Sequence, residues 1–194
     1  MFFLRRPTDE RLERYRLACE SRPFNRPDLE SAMLDAPPRG FHTDDYGVVL
    51  GRGEKVYAAA VAALESFAMY PAPWAWVQVG SRPLVPGSVY VAVVRGYGLY
   101  TVLPGRLFEV FDGSDENRRR GFSFGTIVGH VEQGVERFSV EWSPETDEVR
   151  YGVRAVWRPT ALVRLGQPLA RRMQLKFQRG SMDSMRASVE VRLA

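Results

Sequence analysis

The chain has little cysteine, histidine or lysine, and no long apolar run. Cys19 is its one cysteine, which excludes an internal disulfide and a cysteine-built zinc site. His42 and His130 are its two histidines, and zinc needs several His or Cys ligands in close geometry, so no metal is expected. No motif asks for a cofactor: Gly51-Arg52-Gly53 opens a helix but lacks the rest of a phosphate-binding loop, and there is no G-x-S-x-G elbow. The longest apolar run, residues 57–64, is far short of the roughly 20 residues that cross a bilayer. The N-terminus places two arginines after its apolar residues, the reverse of a secretory signal. These absences lead to the expectation of a cytoplasmic protein with no integral membrane segment.

The 194 residues are 45% hydrophobic, too apolar for a disordered chain and enough for one domain with a substantial core. The expected division is an N-terminal helix and proline-rich arm over 1–40, then a core over 41–194. Net charge is +4, and all basic residues except Lys55 and Lys176 are arginine. From Arg158 onward eight basic residues face only Asp183 and Glu190, which suits either a solvated helix face or an acidic partner. No nucleic-acid motif is present, and no nucleic-acid partner is expected. The oligomeric state stays open, a homodimer included.

Residues 8–21 predict a helix, with Thr8 as cap and acidic residues in the first turn. Residues 22–40 carry Pro23, Pro27, Pro37, Pro38 and Gly40 and read as a linker or extended arm. A short strand over 45–51 precedes the clearest helix, 53–70, whose stripe is Val56, Ala60, Ala63 and Phe67. The period then changes to two. Strands are predicted over 74–80, 88–96, 99–111, 119–130, 135–142 and 148–157, with turn chemistry at 112–117 and 143–148. Pro104-Gly105 either bends one strand or divides it. Pro168 opens a long C-terminal helix with the stripe Leu169, Met173 and Phe177, and Gly180 within it implies close packing or an open space. The simplest packing solution is α+β: a curved antiparallel sheet of about six to eight strands wrapped around the C-terminal helix.

That order resembles the helix-grip fold of the START and Bet v 1-like superfamily. More locally, residues 40–57, 122–138 and 157–177 resemble the uncharacterised UPF0548 family of bacteria and plants. The likeness rests on Leu50-Gly51-x-Gly53, Gly125-Thr126, Gly129-His130, Glu136-Arg137-Phe138 and Arg158-Pro159. This chain has Phe124 where the family often has Tyr, Val135 where it often has Glu, and Trp157 where it often has Ser. The resemblance implies a helix-grip fold with an internal cavity, and no activity.

Strand parity selects the candidate site. In 135–142, Glu136, Phe138, Val140 and Trp142 share the core face, with Arg137 on the other. In 119–130, Phe122, Phe124, Thr126, Val128 and His130 share it. A loop over 131–135 sets His130 opposite Glu136 and leaves Glu132 in the loop. The pair is either a polar anchor or proton-transfer pair at a pocket, or a cross-strand pair that closes the end of the core. Phe124, Thr126, Tyr151, Trp157, Trp74 and Phe177 are the other candidate ligand-binding residues. Three functions stay open: binding a small apolar or amphipathic ligand, an enzyme using His130 and Glu136, or a protein-interaction domain without ligand.

Overall fold

The structure is a computed structural model. It describes all residues except 27, 29–36, 81–82, 114–117 and 162–165. Nine of the nineteen residues of the proline-rich arm, 27 and 29–36, and the tip of the 112–117 turn therefore lie outside the described residues.

The strands in chain order are β1 (Phe2–Phe3), β2 (His42–Arg52), β3 (Ala75–Val79), β4 (Val89–Gly96), β5 (Leu99–Asp112), β6 (Arg119–Thr126), β7 (Glu132–Trp142) and β8 (Glu148–Pro159). Helices are α1 (Asp9–Ala18), α2 (Glu54–Glu65) and α3 (Gln167–Leu193). Among the described residues all pairing is antiparallel, in the order β2-β8-β7-β6-β5-β4-β3, with β1 added beside β5. Pro104 and Gly105 sit inside one continuous β5, which pairs with β4 through its first part and with β6 through its second.

Alternation explains which face is covered. On β7 and β8, Phe138, Val140, Tyr151 and Val153 point inward and are fully buried or nearly so. On β4 both faces are apolar. Tyr90, Ala92 and Val94 belong to the inner core, while Val91 and Val93 pack under Leu12 of α1 on the outer face. A strand buried on both sides reads as a continuous apolar run, as β4 does. Thr8 caps α1, its side chain accepting from the Arg11 amide.

Helix α2 ends at Glu65, five residues before the predicted end and two before the last residue of its apolar stripe. Phe67 takes φ +60°, so the chain leaves the helix there, while its ring packs 5.4 Å from Phe122. The alanines Ala60 and Ala63 are fully buried, which permits the close approach of α2 to the core.

Helix α3 divides into two functional halves. Ser181, Met185 and Val189 in its second half are buried in the core. Gly180 is tightly packed: a Cβ there would lie 3.1 Å from Pro71 and 3.2 Å from Trp74. Tyr151 and Ser181 hydrogen-bond through their hydroxyls at 2.7 Å. Ser181→Ala is expected to cost about 1–3 kcal/mol, because it leaves a buried phenol unpaired. Chemical unfolding of the variant checks this. The first half of α3 is different: Leu169, Ala170, Met173, Gln174 and Phe177 face open space rather than packed core.

Candidate functional site

That space is a cavity of about 690 Å³ between the sheet and the first half of α3. Its walls are mostly apolar. Tyr90, Ala92 and Val94 come from β4, Leu103 from β5, Phe124 from β6, Ala155 and Trp157 from β8, and Met173 and Phe177 from α3. The polar groups are few: Asp44 and Tyr46 from β2, Thr126, His130, Glu132 and Glu136 from the β6–β7 hairpin, Tyr70 after α2, and Gln174 and Gln178 from α3.

The β6–β7 hairpin keeps the predicted faces through Thr126 and changes the predicted partners; Val128, expected on the core face, lies in the loop after β6 and is 48% exposed. Phe122 pairs with Phe138, and Phe124 with Glu136. His130 is therefore not opposite Glu136. The loop is 127–131 rather than 131–135. Its position follows from the arm, which takes over the end of β6. The Asn25 amide donates to the Thr126 carbonyl at 3.1 Å, and the Val128 amide to the Pro23 carbonyl at 3.1 Å. Thr126 Oγ1 accepts from the Gly134 amide at 2.9 Å, closing the ladder with a side chain. Gly129, at φ +106°, then turns the chain back. Glu132 consequently opens β7, in phase with Glu136, and lines the cavity instead of lying in a loop.

His130 is fixed by its neighbour. The Glu132 amide donates to His130 Nδ1 at 2.9 Å. An amide always carries its proton, so Nδ1 is the acceptor, and the neutral ring carries its proton on Nε2. The 3.1 Å approach of Nδ1 to the Glu132 carbonyl is then a contact without a shared proton. Burial pushes the His130 pKa down to about 4, so the ring is neutral at physiological pH. It is a hydrogen-bond donor, not a base poised near neutrality.

The carboxyls divide by partner. Asp44 receives both guanidinium nitrogens of Arg171, at 2.7 and 2.8 Å, and Trp157 Nε1 at 2.8 Å. Burial opposes its ionisation, but the hydrogen bonds from Arg171 and Trp157 outweigh burial and hold it below the usual carboxylate range. Arg171 also donates to Gln174 at 3.3 Å, and Gln174 donates to Glu132 at 2.7 Å. This chain of contacts ties β8, β2, α3 and β7 together along one side of the cavity. Burial raises Glu132 to about 7. Glu136 has no hydrogen-bond partner among the described residues; burial, then the charges of Glu132 and Asp44, raise it to about 8. These groups are enclosed by protein yet keep some accessible surface, because that surface faces the cavity.

Of the candidates read from sequence, His130, Glu136, Phe124, Thr126, Trp157 and Phe177 line the cavity. Tyr151 does not: it is fully buried, with its hydroxyl on Ser181. Trp74 does not either. It packs edge-on to Phe177 at 6.3 Å, carries Lys176 over its ring at 4.4 Å, and borders a separate groove on α3. His42 is the first residue of β2, its ring 4.9 Å from that of Trp157. Asp44, Tyr46, Tyr70, Tyr90 and Glu132 were missed. For Asp44 the signal was available: it alternates in phase with Tyr46 and Val48, and β2 begins three residues earlier than the predicted strand. No group of three or more His, Cys, Asp or Glu among the described residues could hold a metal ion.

The fold and the cavity define a class: an α+β protein with a helix-grip fold, an antiparallel sheet around a long C-terminal helix. The ZhuI aromatase/cyclase from Streptomyces sp. R1128 shares the architecture with a TM-score of 0.56 at 11% identity, over 79% of this chain and 96% of that one. Ara h 8.0201 does so with a TM-score of 0.51 at 12% identity, over 78% of this chain and 99% of that one. At such identity the likeness carries the fold alone. The chain belongs to the family described as Domain of unknown function (DUF1990), whose model matches residues 26–184. A UPF0548 protein of Dictyostelium discoideum is 27% identical over 207 residues, which cover 97% of this chain and 96% of that protein. No helix among the described residues is long and apolar enough to cross a membrane.

Proposed function

We propose that the chain binds one small, mainly apolar molecule in the cavity between the sheet and the first half of α3, with a polar end of that molecule held at Glu136. The observation that carries this reading is the combination of volume and lining. A space of about 690 Å³ falls within the roughly 300–1,000 Å³ of small-molecule sites. Its walls are aliphatic and aromatic, and its polar groups converge from the β6–β7 hairpin and β2. A domain built only to present a surface gains nothing from leaving this volume unpacked, since the lining forfeits its dispersion contacts.

The His130–Glu136 proton-transfer reading is not favoured by this geometry. The Nδ1 lone pair of His130 is engaged, and its partner across the ladder is not Glu136. Thr126 belongs to the turn that shapes the hairpin, and Trp157 steadies Asp44; both act on the site through neighbours.

Nile red, a neutral apolar dye, tests the reading by fluorescence titration. One saturable site per chain, with micromolar affinity, is the expected result. A dye that fails to bind, or binds only in a non-saturating manner, contradicts it.

A further inference from the structure

The polar side of the cavity is unbalanced. Asp44, Glu132 and Glu136 line it, and no arginine or lysine among the described residues does. Arg171, the cation that reaches this network, has both of its terminal nitrogens on Asp44. Glu132 accepts from a neutral amide, that of Gln174. Glu136 accepts a hydrogen bond from none of the described residues.

A second observation points to a ligand at the same place. Tyr70 and Tyr90, only 9% and 3% exposed, both line the cavity. Neither phenol has a hydrogen-bond partner among the described residues, whereas the neighbouring Tyr151 is paired with Ser181. Buried side chains whose unpaired hydroxyls open onto one space are placed to pair with the polar atoms of a ligand there. The Tyr90 ring lies 4.5 Å from that of Phe124, and Phe124 is the cross-strand partner of Glu136. Tyr70 packs at 5.4 Å against Phe177 on the α3 side. A carboxyl enclosed by aromatic faces and lacking a counter-ion is suited to a cation, which both the ring quadrupoles and the carboxylate attract. An anionic head would meet three acidic groups there.

We propose, resting on the ligand-binding reading above, that the cavity selects amphipathic amines, with the protonated nitrogen seated between Glu136, Tyr90 and Phe124 and the apolar body along α3. The free and bound states then differ in one proton. Without ligand, Glu136 stays protonated up to about pH 8. An ammonium group displaces that proton. The groups facing Glu136 are Glu132 from its own strand, Asp44 and Tyr46 from β2, Tyr90 from β4, Tyr151 from β8 and Tyr70 after α2, with Arg171 of α3 countering Asp44. Burial raises the tyrosines well above their ordinary value, and Glu132, at about 7, is the other group that titrates in the same window.

Displacement of Nile red by decylamine, decanol and decanoate, which share one chain and differ in the head, tests the proposal on the full chain. At pH 8 decylamine is expected to bind about tenfold or more tighter than decanol, and decanoate weakest. Its affinity falls by roughly tenfold per pH unit between pH 7 and 6, while that of decanol stays constant. Calorimetry in two buffers of different ionisation heat reads about one proton released. Glu136→Gln abolishes the preference for decylamine over decanol; Tyr90→Phe weakens decylamine more than decanol. Equal binding of decylamine and decanol, tighter decanoate, or an amine preference that survives Glu136→Gln overturns the amine proposal and leaves dye binding standing. Failure of Nile red itself removes the ligand-binding reading and the amine proposal together.

Discussion

Ala155→Phe is expected to lower Nile red affinity by roughly 100-fold. Ala155 lies on the inner face of β8, is the cross-strand partner of Glu136, and lines the cavity. A phenyl ring at this position projects into the space that the apolar body of a ligand would fill. Excluding one ring of contacts forfeits about 3 kcal/mol of burial, which corresponds to about two decades in affinity. The site has room for the ring, so the variant is expected to fold and to melt at or above the wild-type temperature, in contrast to overpacking of a filled core. Thermal unfolding beside the dye titration separates blocked binding from misfolding. A folded variant with wild-type affinity would place the dye elsewhere.

A pH-dependent loss of stability is the second large effect. Glu136 is raised to about 8 from 4.5, so its native form holds a proton that the unfolded chain has given up. A carboxyl raised in this way contributes stability that is complete below pH 4.5 and is lost as pH rises toward 8, at about 1.4 kcal/mol per unit. Glu132, raised to about 7, acts in the same direction over a shorter range. His130 acts oppositely. Its pKa is lowered from 6.5 to about 4, so its contribution is complete above pH 6.5 and is lost on acidification. Between about pH 4.5 and 6.5 the limbs of Glu136 and His130 largely cancel, so the fall there is that of Glu132, and above pH 6.5, with the His130 limb complete, the fall of Glu136 is no longer offset. From there to pH 8 Glu136 removes roughly 2 kcal/mol and Glu132 under 1, reduced by any water that screens them in the cavity. Glu136→Gln, which keeps shape and stays neutral, is expected to flatten most of that slope. Urea unfolding of both proteins at pH 6.5 and 8 measures it; an unchanged slope in the variant would mean that Glu136 is ionised and solvated in the folded protein.

The fold was largely legible because its signals are local. Period-two alternation marks six of the strands, and Pro168 with the Leu169–Met173–Phe177 stripe marks α3. The faces of the β6–β7 hairpin were legible for the same reason, since parity survives an error in register. The register itself was not. It depends on Asn25 and Pro23, which lie 101 and 105 residues from their partners Thr126 and Val128 and bond to the end of β6. The site was legible one residue at a time and not as a constellation. Phe124, Thr126, His130, Glu136, Trp157 and Phe177 could be selected by phase, yet the Asp44–Arg171 pair joins residues far apart in sequence. Trp74 looked like a lining residue because it borders a strand. The close packing of Gly180 against Pro71 and Trp74 instead holds its ring outside the cavity.

Native mass spectrometry of freshly purified protein, prepared without detergent, tests the central claim most directly. A cavity that retains an apolar ligand predicts a 1:1 non-covalent adduct of a few hundred daltons that leaves on denaturation and is missing from Ala155→Phe. Wild-type protein that is always bare, and that also fails to take up Nile red, would contradict the claim and leave the space beneath α3 without a ligand-binding role.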